Sequence, residues 1–366
     1  MENDVVLWIV VATALAFDFT NGFHDTANAV ATSISTRAMA PKVAVSLAAV
    51  LNFVGAFLSL AVAATIASGI VDADLVTLPI VFAGLIGAIF WNLLTWYFGL
   101  PSSSSHALIG GVVGAAFAAE GASAVIGDGL LEKVVLPALI APVLAFLVAG
   151  LGILIIYRII GRLRPSTVSR SFRLGQIVSG SLFSLSHGTN DAQKTMGIIF
   201  LALVANGSLS PDADVPIWVV VSAATAIALG TYAGGWRIIR TMGSRIIKMD
   251  PAQGFAAQGV GATVIMAASH VGFPLSTTHV ISGAIMGTGA AKRVSAVRWG
   301  VAGNIVTAWV LTLPASAAVG GLTYALVALL GRDDVGPIAV SAALLVALAV
   351  TLGRRLVAGR TLTAEG

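Results

Sequence analysis

Apolar stretches separated by short polar joints run along nearly the whole chain. Uncharged runs occupy Val43 to Ile70, Val76 to Tyr97, Val134 to Tyr157, Val215 to Trp236, Trp299 to Leu330 and Val335 to Gly353. A membrane-spanning helix needs roughly 20 such residues, so the pattern predicts an all-α polytopic membrane protein. Two joints differ from the rest. "GLPSSSSHALIG", Gly99 to Gly110, and "VGFPLSTTHVISGA", Val271 to Ala284, carry no charge. The apolar pieces that follow them, near Ser104 to Ala119 and Thr277 to Ala290, are short for a span. They read as re-entrant helical hairpins, near 76–119 and 255–290, whose tips stop inside the membrane.

The first apolar segment, Val5 to Thr36, has 32 residues; as one straight helix it would reach about 48 Å, against a hydrocarbon core of about 30 Å. This predicts a broken helix, with the break at the polar cluster Asn21 to Asn28 beside Gly22. The stretch His187 to Asp191 beside Gly188 repeats the pattern. Backbone freed by a break is tolerated at membrane depth only when buried in protein or lining a cavity, so both clusters should face one interior site.

Composition agrees: the 366 residues are 57% hydrophobic and only 10% charged, against roughly a quarter charged in soluble proteins. The opening "MENDVVLWIV" is acidic and then apolar, unlike a signal peptide, so the first segment is read as part of the mature fold. Absence of cysteine excludes disulfides and thiolate metal sites. All Lys and Arg except Lys133, Lys194 and Arg332 fall in five clusters, at Arg37/Lys42, Arg158 to Arg173, Arg237 to Lys248, Lys292 to Arg298 and Arg354 to Arg360. Basic loops stay cytoplasmic; they act as topology signals, and no nucleic-acid partner is expected. The remaining joints are acidic or nearly uncharged, which puts the N-terminus outside and the C-terminus in the cytoplasm of a multi-pass cell (inner) membrane protein, with lipid as its surroundings.

That topology gives three crossings plus one hairpin between residues 1 and 165, and the same again between 166 and 331. An odd number of crossings inverts the second unit, a hallmark of secondary transporters. An additional transmembrane helix and cytoplasmic tail occupy 332–366. The hairpin joints align at an offset of 173, pairing Pro101 with Pro274, Ser104 with Thr277 and His106 with His279; the opening motifs align at 166, pairing Gly22 with Gly188, His24 with Asn190, Asp25 with Asp191 and Asn28 with Lys194.

The polar inventory of the spans concentrates in these motifs. Asp18, Asp25 and Asp191 are the acids, Lys194 is the base, and four of the five histidines, His24, His106, His187 and His279, belong to the motifs. Ionisable groups at membrane depth are costly and functional by default; His270, outside the motifs, reads as structural. The hairpin tips offer Ser102 to Ser105 and Ser276 to Thr278 ahead of helix N-termini, where exposed N–H groups and a positive dipole end favour an anion. One hydroxyl in each tip serves as an N-cap; the rest suit a tetrahedral oxyanion. Such an anion beside Asp25 and Asp191 is repelled unless cations accompany it, which is a physical reason for symport with Na⁺ or H⁺.

The stretches "GFHDTAN", "GTNDAQK", "PSSSSH" and "PLSTTH" resemble the inorganic phosphate transporter (Pit) family of the bacterial low-affinity type, which has a duplicated G-x-N-D-x-x-N-type motif and paired P-x-S-x-[ST]-H segments. The resemblance covers essentially the whole chain. It implies inward phosphate transport driven by a cation gradient, in a homodimer, without a resident cofactor. Within it, phosphate is assigned to Ser103, Ser104, Ser105, Ser276, Thr277, Thr278 and Gln193. Cation coupling is assigned to Asp25, Asn28, Asn190, Asp191 and His24, with Asp25 and Asp191 as ligands if the ion is Na⁺. Asp18, Gly22, His106, His187, Gly188, Lys194 and His279 are assigned as support. The "GFHD" form resembles proton-coupled members that carry metal–phosphate complexes, and some relatives resemble sulfate permeases. Two other classes compete: an intramembrane serine hydrolase with His106 or His279 as base, which would need one asymmetric nucleophile, and an anion channel, which buried carboxylates disfavour.

Overall fold

The computed structural model describes residues 4–331 and 335–364, with side chains through 351. Glu2 and the joint 332–334 lie outside the described residues, as do the side chains of the cluster Arg354 to Arg360. The described chain is helical, with one isolated bridge between Val71 and Val125. The first series of helices is α1 (Asp4–Ser35), α2 (Pro41–Gly55), α3 (Ala61–Ser68), α4 (Leu78–Phe98), α5 (Ser104–Glu120), the single turn α6 (Gly127–Leu130) and α7 (Leu136–Ile160). The second is α8 (Pro165–Ala205), α9 (Ile217–Ala233), α10 (Trp236–Arg240), α11 (Pro251–His270), α12 (Thr277–Lys292) and α13 (Trp299–Leu330), and α14 (Val335–Ala364) follows. Among the described residues, five helices are long and apolar enough to cross a membrane, or six if the bent pair of α9 with the segment 236–245 counts as one span. The chain is a multi-pass membrane protein.

The helix breaks are not where the sequence places them. α1 and α8 run unbroken through both polar motifs. The interruptions fall in the next helices: at 56–60 between α2 and α3, and at Gly234 and Gly235 after α9, where the axis bends by 57°. Gly22 and Gly188 serve a different purpose. A Cβ on Gly22 would collide with the carbonyl of Ile227 in α9, and one on Gly188 with the backbone of Asn52 in α2. Both glycines let two helix backbones touch. α8 opens with exposed turns carrying Arg170 and Arg173.

The two series exchange partners. α1 packs on α9 and α8 on α2; α5 packs on α13 and α12 on α7. α1 and α8 are antiparallel where they meet, because Thr36 bonds Gln176 at 2.6 Å, Asp25 meets His187, and Asp18 faces Thr195. The apolar interior divides into two principal clusters. One holds Val6 to Phe17 of α1 with α3, α4, α5 and the end of α8; the other holds Ala27 to Ala31 with α2, α7, α11 and α12. Between them lies a buried polar waist, formed by Asp18, Asn21, His24 and Asp25 of α1 and His187, Asn190 and Asp191 of α8. Outward faces such as Leu139, Leu147 and Leu151 of α7 are exposed, as a lipid-facing surface requires.

Candidate functional site: two hairpin tips on a polar waist

Both hairpin tips turn at a glycine in left-handed conformation, Gly99 (φ 68°) and Gly272 (φ 78°), a backbone shape that costs glycine nothing. Each tip then caps the helix that follows. Ser103 Oγ accepts from the His106 N–H at 3.1 Å, and Ser276 Oγ from the His279 N–H at 3.3 Å. These two serines are therefore the N-caps, which leaves Ser104, Ser105, Thr277 and Thr278 as the hydroxyls at the waist. The tips touch each other. Ser105 Oγ donates to the Leu275 carbonyl at 3.3 Å, and the His106 and His279 rings meet edge to face with centroids 4.8 Å apart. Trp309 of α13 braces the pair, stacking on His279 and donating to the Pro101 carbonyl at 3.0 Å.

The opening motifs hold these tips in a crossed arrangement. His24 binds its own half's hairpin, with Nε2 3.1 Å from Thr95 Oγ1 and 3.3 Å from Ser102 Oγ, and Nδ1 3.4 Å from Ser104 Oγ. Its counterpart Asn190 does likewise, donating to Ser269 Oγ at 2.9 Å and to the Phe273 carbonyl at 3.2 Å. Asn28 reaches across to the other tip, and Lys194 bridges both. Asn28 Nδ2 donates to Thr278 Oγ1 at 2.8 Å and Thr277 Oγ1 at 3.2 Å; Lys194 Nζ donates to Ser105 Oγ at 2.5 Å and to the Leu275 carbonyl at 3.0 Å.

At the centre stand two carboxylates, each beside an imidazole. His24 Nδ1 lies 2.6 Å from Asp25 Oδ1. His187 Nε2 lies 3.2 Å from Asp191 Oδ2, close enough to pair as ions though not aligned as a hydrogen bond, while Lys194 Nζ lies 2.5 Å from Asp191 Oδ1. One ligand atom each from Asp25, His187 and Asp191 lies within 4.8 Å of the others, so the two motifs converge on one spot as their sequence predicts. Thr277 and Thr278 approach the Asp25 oxygens at 3.5 Å. Every side chain of this constellation is buried, and Ser104, Ser105, Thr277 and Thr278 are at most 2% exposed. The described conformation is closed to both sides.

Gln193 is placed elsewhere. Its Oε1 accepts from the backbone N–H groups of Val62 at 2.8 Å and Ala63 at 3.2 Å, satisfying the first turn of α3 after the break in α2/α3. It caps a helix rather than facing the hydroxyls. Residues that sequence reasoning passed over also belong here: Asn52 links His187 Nδ1, at 3.3 Å, to Thr231 Oγ1, at 2.8 Å, and Thr95 holds His24. The signal for Asn52 was present, a single amide in an apolar run. For the hydrolase alternative, His279 Nδ1 faces the Ala138 carbonyl, and neither tip histidine bonds a hydroxyl through its ring among the described residues.

A model of the phosphate transporter family matches residues 21–167 and 161–320. The chain is 58% identical over 327 residues to a probable low-affinity inorganic phosphate transporter of Mycobacterium tuberculosis, covering 89% of this chain and 78% of that one. It is 47% identical over 320 residues to a protein of the same description from Bacillus subtilis, covering 86% and 95%. A solved structure described as the sodium-dependent phosphate transporter superposes with a TM-score of 0.81 at 26% identity, covering 88% of this chain and 99% of that one. Built from two interlocked helix series whose motifs meet at one buried centre, the chain belongs to the phosphate transporter family.

Proposed function

We propose that this phosphate transporter works as a symporter, importing phosphate together with protons taken up at its two carboxylate–imidazole pairs. The observation that carries the reading is the pairing itself: Asp25 with His24 and Asp191 with His187, one pair from each motif, beneath the four tip hydroxyls. Two carboxylates against one ammonium, Lys194, leave the centre negative whenever the imidazoles are neutral. An oxyanion entering there is repelled. Protons taken up at the two pairs remove that repulsion, because each added proton cancels one negative charge at the centre. Each ligand then raises the affinity for the other.

In this reading phosphate takes the hydroxyls of Ser104, Ser105, Thr277 and Thr278 and the N-terminal dipoles of α5 and α12. It competes for them with Asn28 and Lys194, whose crossed bonds otherwise hold the tips together. Loading the site thus loosens the clasp, and this couples chemistry to movement. The direct contact of the tips supports their re-entry from opposite faces, because hairpins crossing fully from opposite sides would end at opposite surfaces. The antiparallel meeting of α1 and α8 supports inversion of 166–331 relative to 1–165. The N-terminus outside, the C-terminus in the cytoplasm, residence in the cell membrane and assembly as a homodimer complete the proposal.

A second reading, Na⁺ as the central coupling ion on Asp25 and Asp191, is favoured by the description of the structural neighbour as sodium-dependent. Uptake of radiolabelled phosphate into proteoliposomes separates the two, with a pH gradient and a Na⁺ gradient imposed separately and sulfate as competitor. Accumulation driven by the pH gradient and resistant to sulfate supports proton–phosphate symport. Accumulation driven only by Na⁺ transfers the role to Na⁺, and sulfate outcompeting phosphate overturns the substrate.

A further inference from the structure

Asp18 has no part in the crossed clasp or in the carboxylate–imidazole pairs. It lies on α1, seven residues before Asp25, about 10 Å along the helix, and is fully buried. Its polar neighbours are Asn21, one turn on in α1, and Thr195 of α8; the charged groups nearest are Asp191 and Lys194, both of α8 and already joined to each other. Neither Asp18 oxygen has a hydrogen-bond partner among the described residues, and the same is true of Asn21 Oδ1 and Thr195 Oγ1. These residues are 0%, 1% and 0% exposed. Four buried oxygen atoms from two helices are thus left unsatisfied in one place. An unpaired buried carboxylate costs far more than a buried hydroxyl; the Thr195 hydroxyl and the Asn21 amide lie beside it, but neither brings a positive charge, which a bound cation would supply.

The donor set identifies the ion's class. No imidazole and no sulfur takes part, unlike the central cluster of Asp25, His187 and Asp191. Carboxylate, amide and hydroxyl oxygens are ligands for hard cations, and a single carboxylate balances a single charge. We propose that Asp18, Asn21 and Thr195 form a separate site for a monovalent hard cation of the Na⁺ class, held between α1 and α8. The ion ties together the two helices that carry the opening motifs and compensates Asp18 without using the central pairs. Its presence fixes the α1/α8 contact on which the central geometry depends, and it does so whichever ion drives phosphate.

The test is direct binding, so it does not depend on transport or on the identity of the coupling ion. Purified protein in detergent is titrated with NaCl against choline chloride at constant ionic strength, in phosphate-free buffer, and the thermal unfolding midpoint is followed. The expected result is a saturable Na⁺-specific rise that vanishes in Asp18→Asn and needs at least tenfold more Na⁺ in Thr195→Val. Asp25→Asn should keep the rise, which separates this site from the central one. Equal midpoints in Na⁺ and choline for the wild type would overturn the proposal while leaving proton-driven uptake standing. An unchanged Na⁺ response in Asp18→Asn would overturn it too, and if that variant fails to fold, the Thr195→Val titration decides alone.

Discussion

Lys194 Nζ lies 2.5 Å from Ser105 Oγ, joining the motif of the second helix series to the hairpin of the first. The same ammonium sits 2.5 Å from Asp191, so a single buried cation both compensates a carboxylate and holds a tip. At the aligned position of the first series Asn28 makes the equivalent reach without charge. The two aligned positions therefore differ in charge: Lys194 answers Asp191 directly, and Asp25 has His24 beside it.

Removal of the ammonium should be costly. Lys194→Met leaves Asp191 with only His187 beside it, and breaking a buried ion pair destabilises by about 3–5 kcal/mol. Thermal unfolding in detergent should show a large drop in midpoint together with loss of phosphate uptake. An unchanged midpoint would mean that Asp191 is not charged in the folded protein.

The tip hydroxyls divide into two groups with separable effects. Ser103→Ala and Ser276→Ala remove caps, at a cost of about 1 kcal/mol in stability each, and should leave the half-saturating phosphate concentration within twofold. Ser104→Ala or Thr277→Ala removes a hydrogen bond to an anion, worth roughly 1.5–3 kcal/mol, and should raise that concentration by tenfold or more in uptake assays. Equal effects from both groups would dismiss the division.

Gly22 and Gly188 give a prediction whose sign is diagnostic. If they were helix breakers, alanine would favour the helix by up to about 1 kcal/mol. Because each backbone abuts another helix, Gly22→Ala and Gly188→Ala should instead destabilise by roughly 1–3 kcal/mol through overpacking. Thermal unfolding of the two variants reads the sign.

Gln193→Leu should lower stability and leave phosphate affinity unchanged, since its carbonyl serves the N–H groups of Val62 and Ala63. A raised half-saturating phosphate concentration at wild-type stability would return Gln193 to the substrate site.

What the sequence made legible was local chemistry and its repetition. Aligned Ser, Thr and His residues identified both hairpin tips, and the scarcity of charge at membrane depth singled out Asp25, Asp191 and Lys194. What it hid was long-range packing. Glycine in a polar cluster signals either a break or a close approach, and the helix that touches Gly22 lies about 200 residues away in the chain. The real break between α2 and α3 falls in "AFLSL", Ala56 to Leu60, an apolar stretch marked only by Gly55 just before it. With that break hidden, the sequence shows no helix end for Gln193 to cap. The second break, at "GG" after α9, did carry a mark.

The most direct measurement of proton–phosphate symport is lumenal pH. Proteoliposomes holding the purified protein and a trapped pH-sensitive dye, in buffer free of Na⁺, receive phosphate on the outside. Proton–phosphate symport predicts acidification of the lumen beyond what phosphate's own ionisation produces, saturating with phosphate and absent in Asp25→Asn and Asp191→Asn. Phosphate entry with no accompanying acidification, or entry that occurs only once Na⁺ is supplied, would contradict it.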